Sequence, residues 1–238
     1  QTVQSYGGGV CQVSTTLYNA VLRAELEVTQ RSNHSMIVTY VKPSMDAAIA
    51  GDYKDLKFVN NLDAPIYIEG YTVGKDIYFN IYGQETRPSN RKVTYESEVV
   101  SEEDPGTQFV ATGDAVGSIS TTQGKHMGYV ARLWKIVTVD GVEQSRDAIN
   151  KSTYKSSPKI VNVGTASADP NATAAVNAAL ATGDEATIYA TVAQYSGAGQ
   201  TPAETPAETP ADGSAEAAAI LGTVDESQIT ENTTTEGQ

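Results

Sequence analysis

Thiols, imidazoles and long apolar runs are scarce in this chain of 238 residues. With one cysteine it can form no intrachain disulfide framework and no thiol cluster for zinc. No apolar stretch approaches the ~20 residues of a membrane-spanning helix. Basic residues stop at Lys159. Residues 1–164 hold all 16 basic side chains and 18 of the 29 acidic ones, a net charge of −2. Residues 165–238 hold the other 11 acidic side chains and no basic one, so the acidity belongs to a tail. A nearly neutral fold with an acidic tail argues against nucleic acid or anionic lipid as the main partner. The chain opens on Gln1 and runs straight into a motif, so it reads as a fragment whose start is missing.

The remaining composition separates into three stretches. Residues 1–90 read as a compact unit. Val10, Val13, Leu17, Ala20, Val21 and Ala24 recur at helical spacing and predict a helix over 11–24, entered from Gly7-Gly8-Gly9. Strands are expected at 36–41, 56–59, 66–68 and 77–82, with turns at 60–65 and 73–76. Residues 91–165 read as a small extended β module, with strands at 93–100, 128–139 and 160–163 and a turn at Asp140-Gly141. Gly113, Gly117, Gly124 and Gly128 suggest turns with positive φ there, and Trp134, Tyr129 and Leu133 are its candidate core. Residues 166–238 are Ala, Thr, Pro and acid, with the repeat Thr201-Pro202-Ala203-Glu204, and disorder is expected for want of large apolar groups. The expected fold is thus α+β and mostly antiparallel: one helix on a β meander, then the β module, then the disordered tail.

Chemistry, if present, centres on Cys11. The glycines allow a tight bend, and the thiol then falls in the first turn of a helix, where unpaired N–H groups and the helix dipole favour a thiolate. N–H groups such as those of Gln12 and Val13 are placed to hold an oxyanion. The bland alternative is a small buried hydrophobe beside Val10 and Val13. Only two histidines are available as a base. His34 stands about ten residues beyond the predicted helix, and reads equally as a turn residue. His126 lies in a polar loop and reads as a surface group. Asp46 and Asn33 are candidates to orient the imidazole, and Tyr40 and Arg31 to contact substrate.

These residues carry a resemblance. Gly7-Gly8-Gly9-Val10-Cys11-Gln12-Val13-Ser14, Arg31-Ser32-Asn33-His34-Ser35, Tyr40-Val41, Asp46-Ala47 and Asp55-Leu56-Lys57-Phe58-Val59-Asn60-Asn61 closely resemble the VanW domain over about residues 1–84. Members of that family usually carry a further stretch before the triple glycine, and their Asp-Ala-Thr-Val is here Asp46-Ala47-Ala48-Ile49. The second unit is similar, more loosely, to the G-five domain through residues 124–128, 134–141, Tyr154 and 161–165. The resemblance implies a peptidoglycan L,D-transpeptidase that needs no metal or organic cofactor. Cys11 is then the nucleophile and His34 the base, with Gly9, Gln12, Val13, Ser14, Arg31, Tyr40 and Asp46 around oxyanion or substrate. Hydrolysis of the same thioester makes a carboxypeptidase. The non-catalytic alternative is a wall-binding surface protein. Implied partners are stem peptides and wall glycan, on the envelope of a Gram-positive-type bacterium, with the membrane reached only through a missing N-terminal anchor.

Overall fold

The computed structural model describes residues 8–196, which form three helices and ten strands. In chain order they are α1 (Val10–Arg23), β1 (Glu27–Gln30), β2 (Lys57–Val59), β3 (Tyr67–Val73), β4 (Asp76–Tyr82), β5 (Arg91–Glu103), β6 (Thr107–Ala115), β7 (Ile119–Gln123), β8 (Gly128–Val139), β9 (Val142–Tyr154), β10 (Lys159–Ala166), α2 (Pro170–Thr182) and α3 (Glu185–Tyr195). The sheets are β1-β2, β3-β4, β5-β8-β9 and β6-β10-β7. All pairings are antiparallel except β6 with β10. The architecture is α+β and mostly antiparallel, as expected.

Helix α1 buries a different stripe from the one its apolar residues suggested. Ser14, Thr15, Tyr18, Asn19, Val21 and Leu22 face inward, while Val10 and Val13 are exposed. All but one of the hydrogen-bonding groups of Ser14, Thr15 and Asn19 are paired, chiefly with the irregular segment before β2; Asn19 Oδ1 is buried without a partner among the described residues. The Ser14 hydroxyl donates to the Ala47 carbonyl at 2.5 Å, and the Asn19 amide donates to the Met45 carbonyl at 2.8 Å. Thr15 Oγ1 accepts from the Ala47 N–H at 3.0 Å. Paired in this way, hydroxyl and amide groups can line a core at little cost. Residues 36–41, expected as a strand, take no regular structure. Val38, Tyr40 and Val41 instead pack on the cluster of Tyr18, Leu22, Met45 and Ala47.

That cluster also contains Leu133 of β8, fully buried, with Tyr95 of β5 packed against it. The long sheet therefore completes the core of the first unit. Trp134, expected in a separate core of the second unit, points the other way and donates to Glu98 at 2.6 Å. Successive strand residues alternate faces, so Leu133 and Trp134 cannot both be buried on one side. Residues 60–65 connect two separate sheets instead of closing a hairpin, because β2 pairs with β1. Asp140 and Gly141 do form a tight turn, with φ of 51° and 79°. Of the four glycines expected at positive φ, only Gly117 adopts it, at 103°. Gly113 and Gly128 lie within β6 and β8.

The tail expected to be disordered from residue 166 is helical over 170–182 and 185–195. Its few branched residues suffice: Val176, Ile188 and Val192 pack with Ala179 on Val161 and Val163 of β10. The helix limits are locally encoded. Asp169 caps α2 with Pro170 at its first position, Gly183 ends it at a φ of 68°, and Asp184 caps α3. The Thr-Pro-Ala-Glu repeat and Gly7 lie outside the described residues.

Candidate active site

Asp46 is fully buried within the irregular segment between β1 and β2, and four donors converge on its carboxylate. Arg31 Nη2 reaches Oδ1 at 2.7 Å and the Tyr154 hydroxyl reaches the same oxygen at 2.5 Å. The backbone N–H of His34 and His34 Nδ1 both meet Oδ2 at 2.7 Å. Burial alone raises the Asp46 pKa, but the bonds from His34 and Tyr154 and the Arg31 charge outweigh it and hold the carboxyl below its ordinary value. Burial, reinforced by the Asp46 charge, pushes the Tyr154 hydroxyl up to about 12. An ionised Asp46 can only accept, so His34 Nδ1 is the donor to it, and in the neutral ring the lone pair is then on Nε2. This is the arrangement of a base oriented by a third group.

His34 Nε2 meets the Tyr40 hydroxyl at 3.4 Å. Burial chiefly raises the Tyr40 pKa, a hydrogen bond with Thr15 opposes it, and charge on Cys11 raises it further. Tyr40 thus stands within electrostatic reach of the thiol and within hydrogen-bond reach of the imidazole. The thiol itself, half-buried, donates to the Ile49 carbonyl at 3.6 Å.

The other expected residues divide. The Val13 N–H donates to the Gly9 carbonyl at 3.0 Å, so the helix itself takes it up; the N–H groups of Val10, Cys11 and Gln12 precede that first bond. Ser14 is turned to the Cys11 and Ala47 carbonyls. Gly8 and Gly9 adopt no positive φ, and a Cβ on either meets nothing within 4 Å, so this fold does not itself demand glycine there. Arg31 is almost wholly buried. It clamps the Asp46 carbonyl at 2.6 Å through Nε, lies over the Tyr18 ring at 5.7 Å, and binds Ser152 through Nη1 at 2.8 Å. Its donors hold the site together and are not directed to an open face. Asn33 bonds the carbonyls of His34 and Thr153 rather than the imidazole. His126 is exposed and makes a backbone bridge to Ser157. An open cleft of about 350 Å³ is lined by His34 and Arg31 together with Lys54 and Lys155.

Inspection of the first unit alone misses three residues of β9. Asn150, Ser152 and Tyr154, two apart, share one face of the strand. Asn150 donates to the Tyr18 hydroxyl at 2.8 Å and the Ser44 carbonyl at 3.1 Å, Ser152 receives Arg31, and Tyr154 holds both Asp46 and the Ser44 N–H. The period-two pattern of a polar residue at each of these positions is the only local signal, and it reads as a solvated face.

Comparison with known proteins follows these lines. The family described as VanW like protein matches residues 1–82, and the G5 domain matches residues 85–166. Uncharacterized protein YoaR of Bacillus subtilis (strain 168) is 39% identical over 82 residues, 34% of this chain and 27% of the relative. The chain therefore spans about a quarter of that curated relative. Among solved structures, the G5 domain of an IgA1 protease is 26% identical over 32% of this chain and 94% of its own, with a TM-score of 0.24. The HP0197 G5 structure is 20% identical over 31% of this chain and 99% of its own, with a TM-score of 0.17. The two domain matches point to association with the cell wall. The chain accordingly carries a VanW-like domain followed by a G5 domain.

Proposed function

We propose that this cell-wall-associated chain is a cysteine acyltransferase of the L,D-transpeptidase type, acting on peptidoglycan stem peptides. The observation that carries the reading is the buried Asp46–His34 pair at 2.7 Å, with Nε2 turned to the Tyr40 hydroxyl at 3.4 Å. In the first step the thiol proton passes to His34, through Tyr40 or after the ring moves onto the sulfur. The sulfur attacks the carbonyl carbon of the third stem residue. The bond to the terminal D-alanine breaks, its amine takes the proton from His34, and a thioester remains. The N–H groups of Cys11 and Gln12 face the oxyanion. A side-chain amine of a second stem then attacks the thioester, gives its proton to His34 and releases the thiolate as the 3-3 cross-link forms. Water in place of that amine makes the reaction a carboxypeptidase. The G5 domain binds wall glycan in this reading, on the outer side of a Gram-positive-type envelope.

A second reading, non-catalytic wall binding, draws on the thiol's bond to the Ile49 carbonyl, which leaves it paired within the fold. The two are separated by incubating a purified stem tetrapeptide with the protein and weighing both. The transferase loses D-alanine from the peptide and carries an adduct on Cys11 that Cys11→Ala abolishes. A wild-type protein that neither releases D-alanine nor gains mass belongs to the second reading.

A further inference from the structure

The hairpin β3-β4 is two-sided. Ile68, Ile77, Phe79 and Ile81 lie on the half-buried face, and β4 packs against α1. Its other face carries two cross-strand tyrosine pairs. Tyr67 opposes Tyr82, with ring centroids at 6.1 Å, and Tyr71 opposes Tyr78, stacked at 5.2 Å and 11°. These four rings are 37–65% exposed. Between the pairs lie Glu69 and Asn80, also directly opposite. The Asn80 amide and the Tyr82 hydroxyl both donate to Glu69 Oε2, at 3.0 and 3.1 Å. The two pairs are four residues apart along the strand, roughly 13 Å.

We infer that this face is a binding platform for a neutral polysaccharide strand. Four exposed rings on one face, in two pairs that flank a polar centre, make an aromatic surface of the kind that marks a binding site. Their chemistry narrows the occupant. Neither strand contains a lysine or arginine, Lys75 stands in the turn between them, and the face itself carries Glu69 and Asp76, so the face disfavours an anionic polymer. A pyranose presents C–H groups to an aromatic ring and hydroxyl groups at its edge. The tyrosine pairs offer ring surface with a hydroxyl tip, and Glu69 and Asn80 offer a free acceptor each between them. The platform lies outside the Asp46–His34 site. It deepens the cell-wall reading, on which the choice of a glycan rests, and does not depend on chemistry at Cys11.

The test uses the full chain labelled with 13C-tyrosine and titrated with chitin oligosaccharides, which carry no stem peptide. The expected result is movement of the ring signals of Tyr67, Tyr71, Tyr78 and Tyr82, assigned through Tyr→Phe variants, both in the wild type and in Cys11→Ala. The double variant Tyr71→Ala/Tyr78→Ala should weaken about tenfold or more the binding read from the Tyr67 and Tyr82 ring signals, whatever the G5 domain binds. If other signals move while these four stay fixed, the wall reading stands and the platform falls. If no signal moves, the platform falls as well. Ring shifts on dilution without sugar assign the face to a second copy of the chain and overturn the proposal.

Discussion

The Tyr154 hydroxyl donates to Asp46 Oδ1 at 2.5 Å across 108 residues of chain, while accepting the Ser44 N–H at 2.8 Å. One side chain of β9 thereby fixes both the carboxylate that orients His34 and the backbone that delivers it. The VanW-like site is closed by the G5 strand beside it, so the two domains act on Asp46 as one structure.

Removing this hydroxyl should destabilise the protein without emptying a cavity. Tyr154→Phe leaves Asp46 Oδ1 and the Ser44 N–H each short of a partner, a cost of about 1–3 kcal/mol. Tyr53→Phe, at a residue 74% exposed, is the control and should be neutral. Urea unfolding monitored by circular dichroism reads the difference.

Asp46→Asn should cost more. It leaves the buried Arg31 guanidinium without its counter-charge, a loss of about 3–5 kcal/mol. It also removes the anion that keeps the proton on His34 Nδ1, so acyl transfer should fall even in protein that remains folded. An Asp46→Asn protein with wild-type stability would remove the structural role assigned to this carboxylate.

Acid should weaken the join between the two domains. Glu25, at the end of α1, bonds Arg91 of β5 at 2.5 Å and Lys135 of β8 at 2.6 Å. The bonds from Arg91, against the opposing effect of burial and with help from Lys135, lower its pKa to about 2. A carboxylate depressed in the folded state stabilises it above the unfolded pKa, and that stability is lost as pH falls through the folded value. The contribution, on the order of 3 kcal/mol, should vanish between about pH 4.5 and 2. Glu25→Gln should flatten that part of a stability–pH curve.

Thiol alkylation reports on the relay. Iodoacetamide should modify Cys11 in the folded protein near neutral pH. His34→Ala should slow the reaction, and Tyr40→Phe should change its pH profile while leaving stability within about 1 kcal/mol. Modification only on unfolding would support the non-catalytic reading.

The helical hairpin should be part of the cooperative fold. Ile188→Ala removes a fully buried side chain against Val161 and Val163 and should cost about 2–5 kcal/mol. Calorimetry of the full chain measures it.

Much of this fold was legible locally. The helix of residues 10–23, the turns at Gly74 and Asp140-Gly141, and β8 to the residue followed from periodicity and turn chemistry. The caps of α2 and α3 were written just as plainly in Asp169-Pro170 and Gly183-Asp184, but the tail's bias to Ala, Thr and acid outweighed them. That composition contains few large side chains, yet an exposed β10 needed only Val176, Ile188 and Val192 to cover it. Cys11, His34 and Asp46 stood out because their residue types carry chemistry and the motif groups them.

The partners of Asp46 were a different matter. Periodicity records which face of an element meets a core, but not which distant element supplies that core. A polar residue two apart from the next on β9 looks the same whether it meets water or a buried carboxylate. Only the approach of β8 and β9 to α1 turned Asn150, Ser152 and Tyr154 into hydrogen-bond partners, and only it made Arg31 a clamp instead of an open contact. A buried charge must be matched by whichever donors the packed chain brings within 3 Å, and that set is a property of the closed fold, invisible in any short window of residues.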